Sequence, residues 1–241
     1  MGGAPTGTGL PERIDAVLFD AGGVLLDLDY AYLRRLIEAR HGAVTVDELS
    51  RLEAAARMEI HRQVAGGGRV SEAWRDYFYV ILGRVGVPAA EQNGIVDSLW
   101  DAHQRFGLWT VAIPGGPEVV AGLKRRGFRL GVVSNAEGRV EQDLESAGYR
   151  GLFETVVDSH VVGVEKPDPE IFRIALQRLD SAAEHAVYVG DLPAVDLAGA
   201  RAAGIAPVLL DRHELYPDLA GPRLLSLEEL PALLGGTAAP A

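Results

Sequence analysis

The chain has no cysteine, two methionines and only two lysines in 241 residues. Without cysteine there is no disulfide framework, no thiolate metal site and no cysteine nucleophile. No uninterrupted run of about 18 apolar residues occurs, so a membrane-spanning helix is not expected. Residues 1–13 lack the basic start and apolar centre of a secretory leader and read as a flexible N-terminal tail, as residues 237–241 do at the other end. These absences together predict a cytoplasmic protein. The net charge of −11 leaves no surplus of positive charge for a nucleic-acid backbone, so neither nucleic acid nor membrane is an expected partner. A small phosphorylated molecule stays compatible with an acidic chain where a metal ion reverses the local sign.

Scarcity makes one lysine informative. Of 23 basic residues two are lysines, so the other 21 are arginines. Lys166 stands in Gly163-Val164-Glu165-Lys166-Pro167-Asp168-Pro169, between an upstream Phe19-Asp20-Ala21-Gly22-Gly23-Val24 and a downstream Val189-Gly190-Asp191-Leu192-Pro193-Ala194-Val195-Asp196. A compact ammonium with three donors can hold a phosphate next to carboxylates that would otherwise repel it.

The apolar fraction of 48% and charged fraction of 24% are ordinary for a globular chain, and the length fits a core domain with an insertion. Short apolar runs at Ala16–Phe19, Leu130–Val133, Thr155–Val157, Ala186–Val189 and Pro207–Leu210 read as buried strands. Helical patterns separate the later ones: Pro117–Arg126, Arg139–Ala147, Pro169–Leu179 and Pro193–Ala203. The leading prolines suit a first helical turn, and Gly127, Gly148 and Gly204 fall where helices stop. Such alternation predicts an α/β fold, a doubly wound, Rossmann-like parallel sheet covered on both faces. Residues 30–112 break the alternation and read as an all-helical insertion. The core is then residues 14–29 and 113–236, closed by a helix over Ser226–Leu234. Within the insertion Trp74, Tyr77 and Phe78 recur at helical spacing and are expected to be its own packing core.

In an open parallel sheet ligands collect at the carboxyl ends of the strands. Three of the runs end in groups that do chemistry: Asp20, Ser134 with Asn135, and Asp191. Lys166 lies in a loop between a strand and a helix, at the same end by topology. Taken singly, each has a plainer reading. Asp20 is a turn residue, Ser134-Asn135 a helix cap, Lys166 a solvated lysine and Asp196 a solvated helix residue. Taken together they converge on one crevice.

These four segments, Phe19-Asp20-Ala21-Gly22-Gly23-Val24-Leu25-Leu26-Asp27, Val133-Ser134-Asn135, Lys166-Pro167-Asp168-Pro169 with Phe172, and Val189-Gly190-Asp191 to Asp196, resemble the four motifs of the haloacid dehalogenase-like hydrolases. The helical insertion stands where that family carries an α-helical cap. The resemblance implies a Mg²⁺-dependent phosphatase of a small phosphate monoester. Asp20 would be the nucleophile that forms an aspartyl-phosphate. Ser134 and Asn135 would bind the phosphoryl oxygens, and Lys166 would neutralise nucleophile and phosphoryl group. Asp20, the Gly22 carbonyl, Asp191 and Asp196 would hold the metal, Asp196 directly or through water.

One position departs from that pattern. The family's phosphatases carry a second Asp two residues after the nucleophile, which protonates the leaving group. Here that position is Gly22. Asp27, Asp29, His61 and His103 are candidates for the missing acid. A 2-haloacid dehalogenase, in which Asp20 attacks carbon, needs no such acid but lacks the full downstream acidic pair that this chain keeps. A phosphonate-cleaving enzyme would need a cap lysine, and residues 30–116 contain none. A catalytically silent scaffold would have no need of an Asp–Lys–metal cluster.

Overall fold

All five apolar runs are strands, and they share one parallel sheet. The computed structural model describes residues 9–68 and 73–235. The sheet comprises β1 (Ala16–Phe19), β4 (Arg129–Ser134), β5 (Thr155–Asp158), β6 (Ala186–Gly190) and β7 (Ala206–Leu210), with a two-residue strand β8 (Arg223–Leu224) added at one edge. Two short strands between β1 and β4, β2 (Leu26–Leu28) and β3 (Trp109–Ala112), form a separate ribbon. The order β5-β4-β1-β6-β7-β8 sets β1 between β4 and β6, with Phe19 opposite Val132 on one side and Val189 on the other. The connections therefore reverse direction at β1, the switch point where such a sheet opens a crevice at its carboxyl edge.

Every residue of β1 and β6 is buried, the pattern of strands covered on both faces. Helices α5 (Gly116–Arg125), α6 (Val140–Leu144), α7 (Ser159–Val162), α8 (Pro169–Arg178) and α9 (Ala198–Ala202) join the strands, and α10 (Leu230–Leu233) follows the last of them. On one side Leu18, Val133, Ile171, Phe172, Leu176, Tyr188 and Ile205 pack into a single cluster. A truncation such as Leu18→Ala there costs about 2–5 kcal/mol. The expected closing helix over Ser226–Leu234 is a tight turn, Leu227–Glu229, leading into α10. The expected helix from Pro193 to Ala203 starts as a wide turn, Pro193–Leu197, before α9.

The chain divides into two units: residues up to Asp27 with those from Val111 onward, and Leu28–Thr110. The second unit is mostly helical: α1 (Tyr30–Glu38), α2 (Val46–Ala65), α3 (Trp74–Val85) and α4 (Ala89–Phe106), although β3 (Trp109–Ala112) puts a strand inside the stretch 30–112 that reads in sequence as all-helical. Asp29 caps α1 by accepting from the Tyr32 amide, and Thr45 caps α2 by accepting from Glu48. Tyr77 and Phe78 are buried in this unit's core beside Leu33, Ile81, Leu82 and Leu99. Of the stretch read as a loose N-terminal tail, residues 1–8 lie outside the described residues and Leu10 is buried. The stretch 237–241 lies outside them entirely.

Candidate active site

Asp20 leaves β1 with its amide still bonded to Val189 O at 2.9 Å, so strand register fixes where its side chain starts. The chain then turns sharply: the Leu25 and Leu26 amides both reach Ala21 O at 2.8 Å, and Gly23 adopts φ 81°, a conformation glycine takes without strain. Asp20 Oδ1 accepts from the Ala21 amide at 2.7 Å and from Lys166 Nζ at 2.8 Å. Both bonds fall on one oxygen, which leaves Oδ2 for chemistry.

Lys166 is almost fully buried, at 2% exposure. Its ammonium has three neighbours: Asp20 Oδ1 at 2.8 Å, Asp196 Oδ1 at 2.8 Å and the Tyr188 hydroxyl at 2.9 Å. Burial alone would lower its pKa, but the Asp196 and Asp20 carboxylates outweigh burial and raise it, so the side chain stays charged. Its loop is clamped by Asn135, whose Oδ1 accepts from the Lys166 amide at 2.7 Å and whose Nδ2 donates to Lys166 O at 3.0 Å. The Asn135 side chain, expected on substrate, is thus engaged in placing the lysine. Ser134 ends β4 and is buried, and the Ala136 amide beyond it donates to Ser159 Oγ at 3.1 Å.

Asp196 is completely buried and accepts four hydrogen bonds. Oδ1 receives Lys166 and the Tyr188 hydroxyl, the latter at 3.1 Å; Oδ2 receives the amides of Asp191 at 3.0 Å and Leu192 at 2.9 Å. The carboxylate comes so near β6 that a Cβ on Gly190 would sit 2.3 Å from Asp196 Cβ, which explains the glycine before Asp191. A Cβ on Gly199 would likewise lie 2.9 Å from Pro167 O, so α9 closes on the lysine loop. Asp20, Asp191 and Asp196 each offer an oxygen within 4.8 Å of the others'. Burial pushes the Asp20 pKa from 3.8 to about 6; Lys166 pulls it back and Asp196 adds to the rise. The structure thus brings Asp20, Lys166, Asp191 and Asp196 together. It adds Tyr188, which reads in sequence as one more apolar strand residue. Burial, with the Asp196 and Asp20 carboxylates, holds the Tyr188 phenol well above its ordinary pKa, so it keeps its proton.

A profile of the haloacid dehalogenase-like hydrolases matches residues 14–204, a span that contains every residue of this cluster. The chain belongs to that family. A phosphoglycolate phosphatase of Cupriavidus necator is 42% identical over 142 residues, 56% of this chain and 59% of that one. A glyceraldehyde 3-phosphate phosphatase of Methanopyrus kandleri is 30% identical over 215 residues, 86% of this chain and 87% of its own. Among solved structures, a dehalogenase with an intermediate complex superposes with a TM-score of 0.66 at 21% identity, over 95% of this chain and 99% of that one. At that identity the likeness shows the fold alone.

For a hydrolase of this family Gly22 is the site's unusual residue; here it bridges to Leu26 at the turn. The candidates for its missing acid have other engagements. Asp27 is held by the Arg212 guanidinium, and Asp29 caps α1. In the helical unit His103 is packed among Trp74, Trp100 and Trp109, and burial lowers the pKa of His61 toward the neutral form.

Proposed function

We propose that this hydrolase is a Mg²⁺-dependent phosphatase of a small phosphate monoester, with Asp20 as nucleophile. The observation that carries the reading is charge. Three buried carboxylates converge within 4.8 Å and Lys166 bonds two of them, a concentration of anionic oxygen that a cation would stabilise where water is excluded. An all-oxygen donor set is what Mg²⁺ prefers, so the residues fit the ion. Asp20, Asp191 and the Gly22 carbonyl would hold it. Asp196, already accepting four hydrogen bonds, would act through water while organising the loop. When bound, the ion offsets charge developing on the phosphoryl oxygens.

The chain's own groups do the rest. An Asp20 oxygen attacks phosphorus, an aspartyl-phosphate forms and the bond to the leaving oxygen breaks. Lys166 neutralises the nucleophile's field at the phosphoryl group, and Ser134 donates to a phosphoryl oxygen. Water then attacks phosphorus, the bond to Asp20 breaks and inorganic phosphate leaves. The phosphatase relatives, named for two- and three-carbon phosphates, support a small substrate. Gly22 favours a second reading, since halide leaves carbon without a proton, yet dehalogenation gives the surplus carboxylates no work. p-Nitrophenyl phosphate hydrolysis that needs Mg²⁺, stops in EDTA and vanishes in Asp20→Asn is the expected result. Chloride release from 2-chloropropionate in EDTA would overturn it.

A further inference from the structure

We infer that Tyr188 is a positioning residue that orients the Lys166 ammonium. An ammonium has three N–H donors, and each has one acceptor here: Asp20 Oδ1, Asp196 Oδ1 and the Tyr188 hydroxyl, at 2.8, 2.8 and 2.9 Å. Two acceptors leave such a head free to swivel about the line between them; a third fixes it. The third is held firmly in turn. The Tyr188 hydroxyl also lies 3.1 Å from Val133 O and 3.1 Å from Asp196 Oδ1, either of which can take its single proton while its lone pair receives Lys166. The ring is fully buried, with Phe172 edge-on at 4.9 Å between centroids. The phenol thus joins the end of β4, the strand that carries Ser134, to Lys166 and Asp196. It is neutral, so it aims the cation without adding to the site's negative charge.

The chain's lysine scarcity makes the test direct. Protein labelled with ¹⁵N-lysine carries two side-chain ammonium groups, Lys166 and, as internal reference, Lys124, whose Nζ donates to Gly151 O at 2.5 Å. The variant is Tyr188→Phe, which keeps the ring and removes the hydroxyl. Lys166 N–H exchange with solvent is expected to quicken about tenfold, the factor for one lost charged hydrogen bond, with Lys124 unchanged. Phe172→Leu loosens the ring and leaves the hydroxyl, so it should lower Tm with a much smaller rise in Lys166 exchange than Tyr188→Phe gives. Equal Lys166 exchange in wild type and Tyr188→Phe overturns the inference, as does an equal acceleration by Phe172→Leu. The kinetic consequence rests on the phosphatase reading: kcat falls about tenfold with KM nearly constant. Absence of turnover in the wild type would end that reading and leave the exchange experiment to decide the role of Tyr188.

Discussion

Two of the buried carboxylate networks, the Glu53 set in the helical unit and the Asp20 set in the sheet unit, differ in balance. In the helical unit Glu53 is completely buried and takes the guanidinium of Arg57 at 2.9 Å together with the hydroxyls of Tyr30 and Tyr77. That is one anion, one cation and two neutral donors. In the sheet unit Asp20 and Asp196 share one lysine, and Asp191 brings a third carboxylate within 4.8 Å of them. In the first set the ionised partners satisfy each other where water is excluded. The second carries an anionic surplus that folding alone would not maintain. A buried carboxylate met by a cation or by amides serves structure, as Glu53 and Asp158 do; three carboxylates converging within 4.8 Å suit a bound cation.

Removing one member from each network should break the comparison in opposite ways. Asp20→Asn should reduce Mg²⁺-dependent turnover by about 10⁴-fold or more while leaving the protein folded. Arg57→Ala strands the Glu53 carboxylate without its cation, which costs about 3–5 kcal/mol. Its Tm should fall by roughly 6–20 °C in thermal scans, while the Tm gain on adding Mg²⁺ persists. A fall of only about 1 °C would mean that water reaches Glu53 and that the two networks are less different than their burial implies.

The sheet unit's own incompleteness gives the next effect. With Gly22 in place of an acid, Asp27 paired to Arg212 and Asp29 capping a helix, the leaving oxygen should depart largely unprotonated. Phenyl phosphate should then react about 10²-fold more slowly than p-nitrophenyl phosphate in kcat/KM, since a general acid contributes about that much. Equal rates for the two esters would reveal a proton donor.

What could be read from sequence follows from how local each signal is. Asp20, Ser134 and Asp191 are visible because each ends a run of buried strand residues, and Lys166 because lysine is so rare here. Gly190 is visible as part of a motif, but its reason, the 2.3 Å approach of Asp196, is a tertiary fact. Tyr188 sits inside the run Ala186-Val187-Tyr188-Val189, where nothing local separates a catalytic-site phenol from a core aromatic. Asp27 and Arg212 meet across 185 positions, beyond any pattern that helix or strand periodicity could carry. The strands β2, β3 and β8 span three, four and two residues, too short for alternation to register. Glu53 looks like one more charged residue on a helix surface until the two tyrosines arrive from other helices.

The smallest effect bears most directly on the imbalance. Burial raises the Asp20 pKa from 3.8 to about 6, so without metal the folded protein holds the Asp20 proton more tightly than the unfolded chain does. The stabilising contribution of that proton is complete below about pH 4, falls as pH rises and is gone above about pH 6. Asp20→Asn cannot ionise and escapes the loss, which is on the order of 3 kcal/mol. In EDTA the variant should therefore match wild type near pH 4 and melt about 6–12 °C higher at pH 7. Saturating Mg²⁺ should shrink or reverse the difference, because the ion binds the ionised wild-type cluster more tightly. A variant that melts lower than wild type in EDTA at pH 7 would show that Lys166 alone balances the site. The contrast between a structural and a catalytic buried charge would then fail at the residue on which it depends.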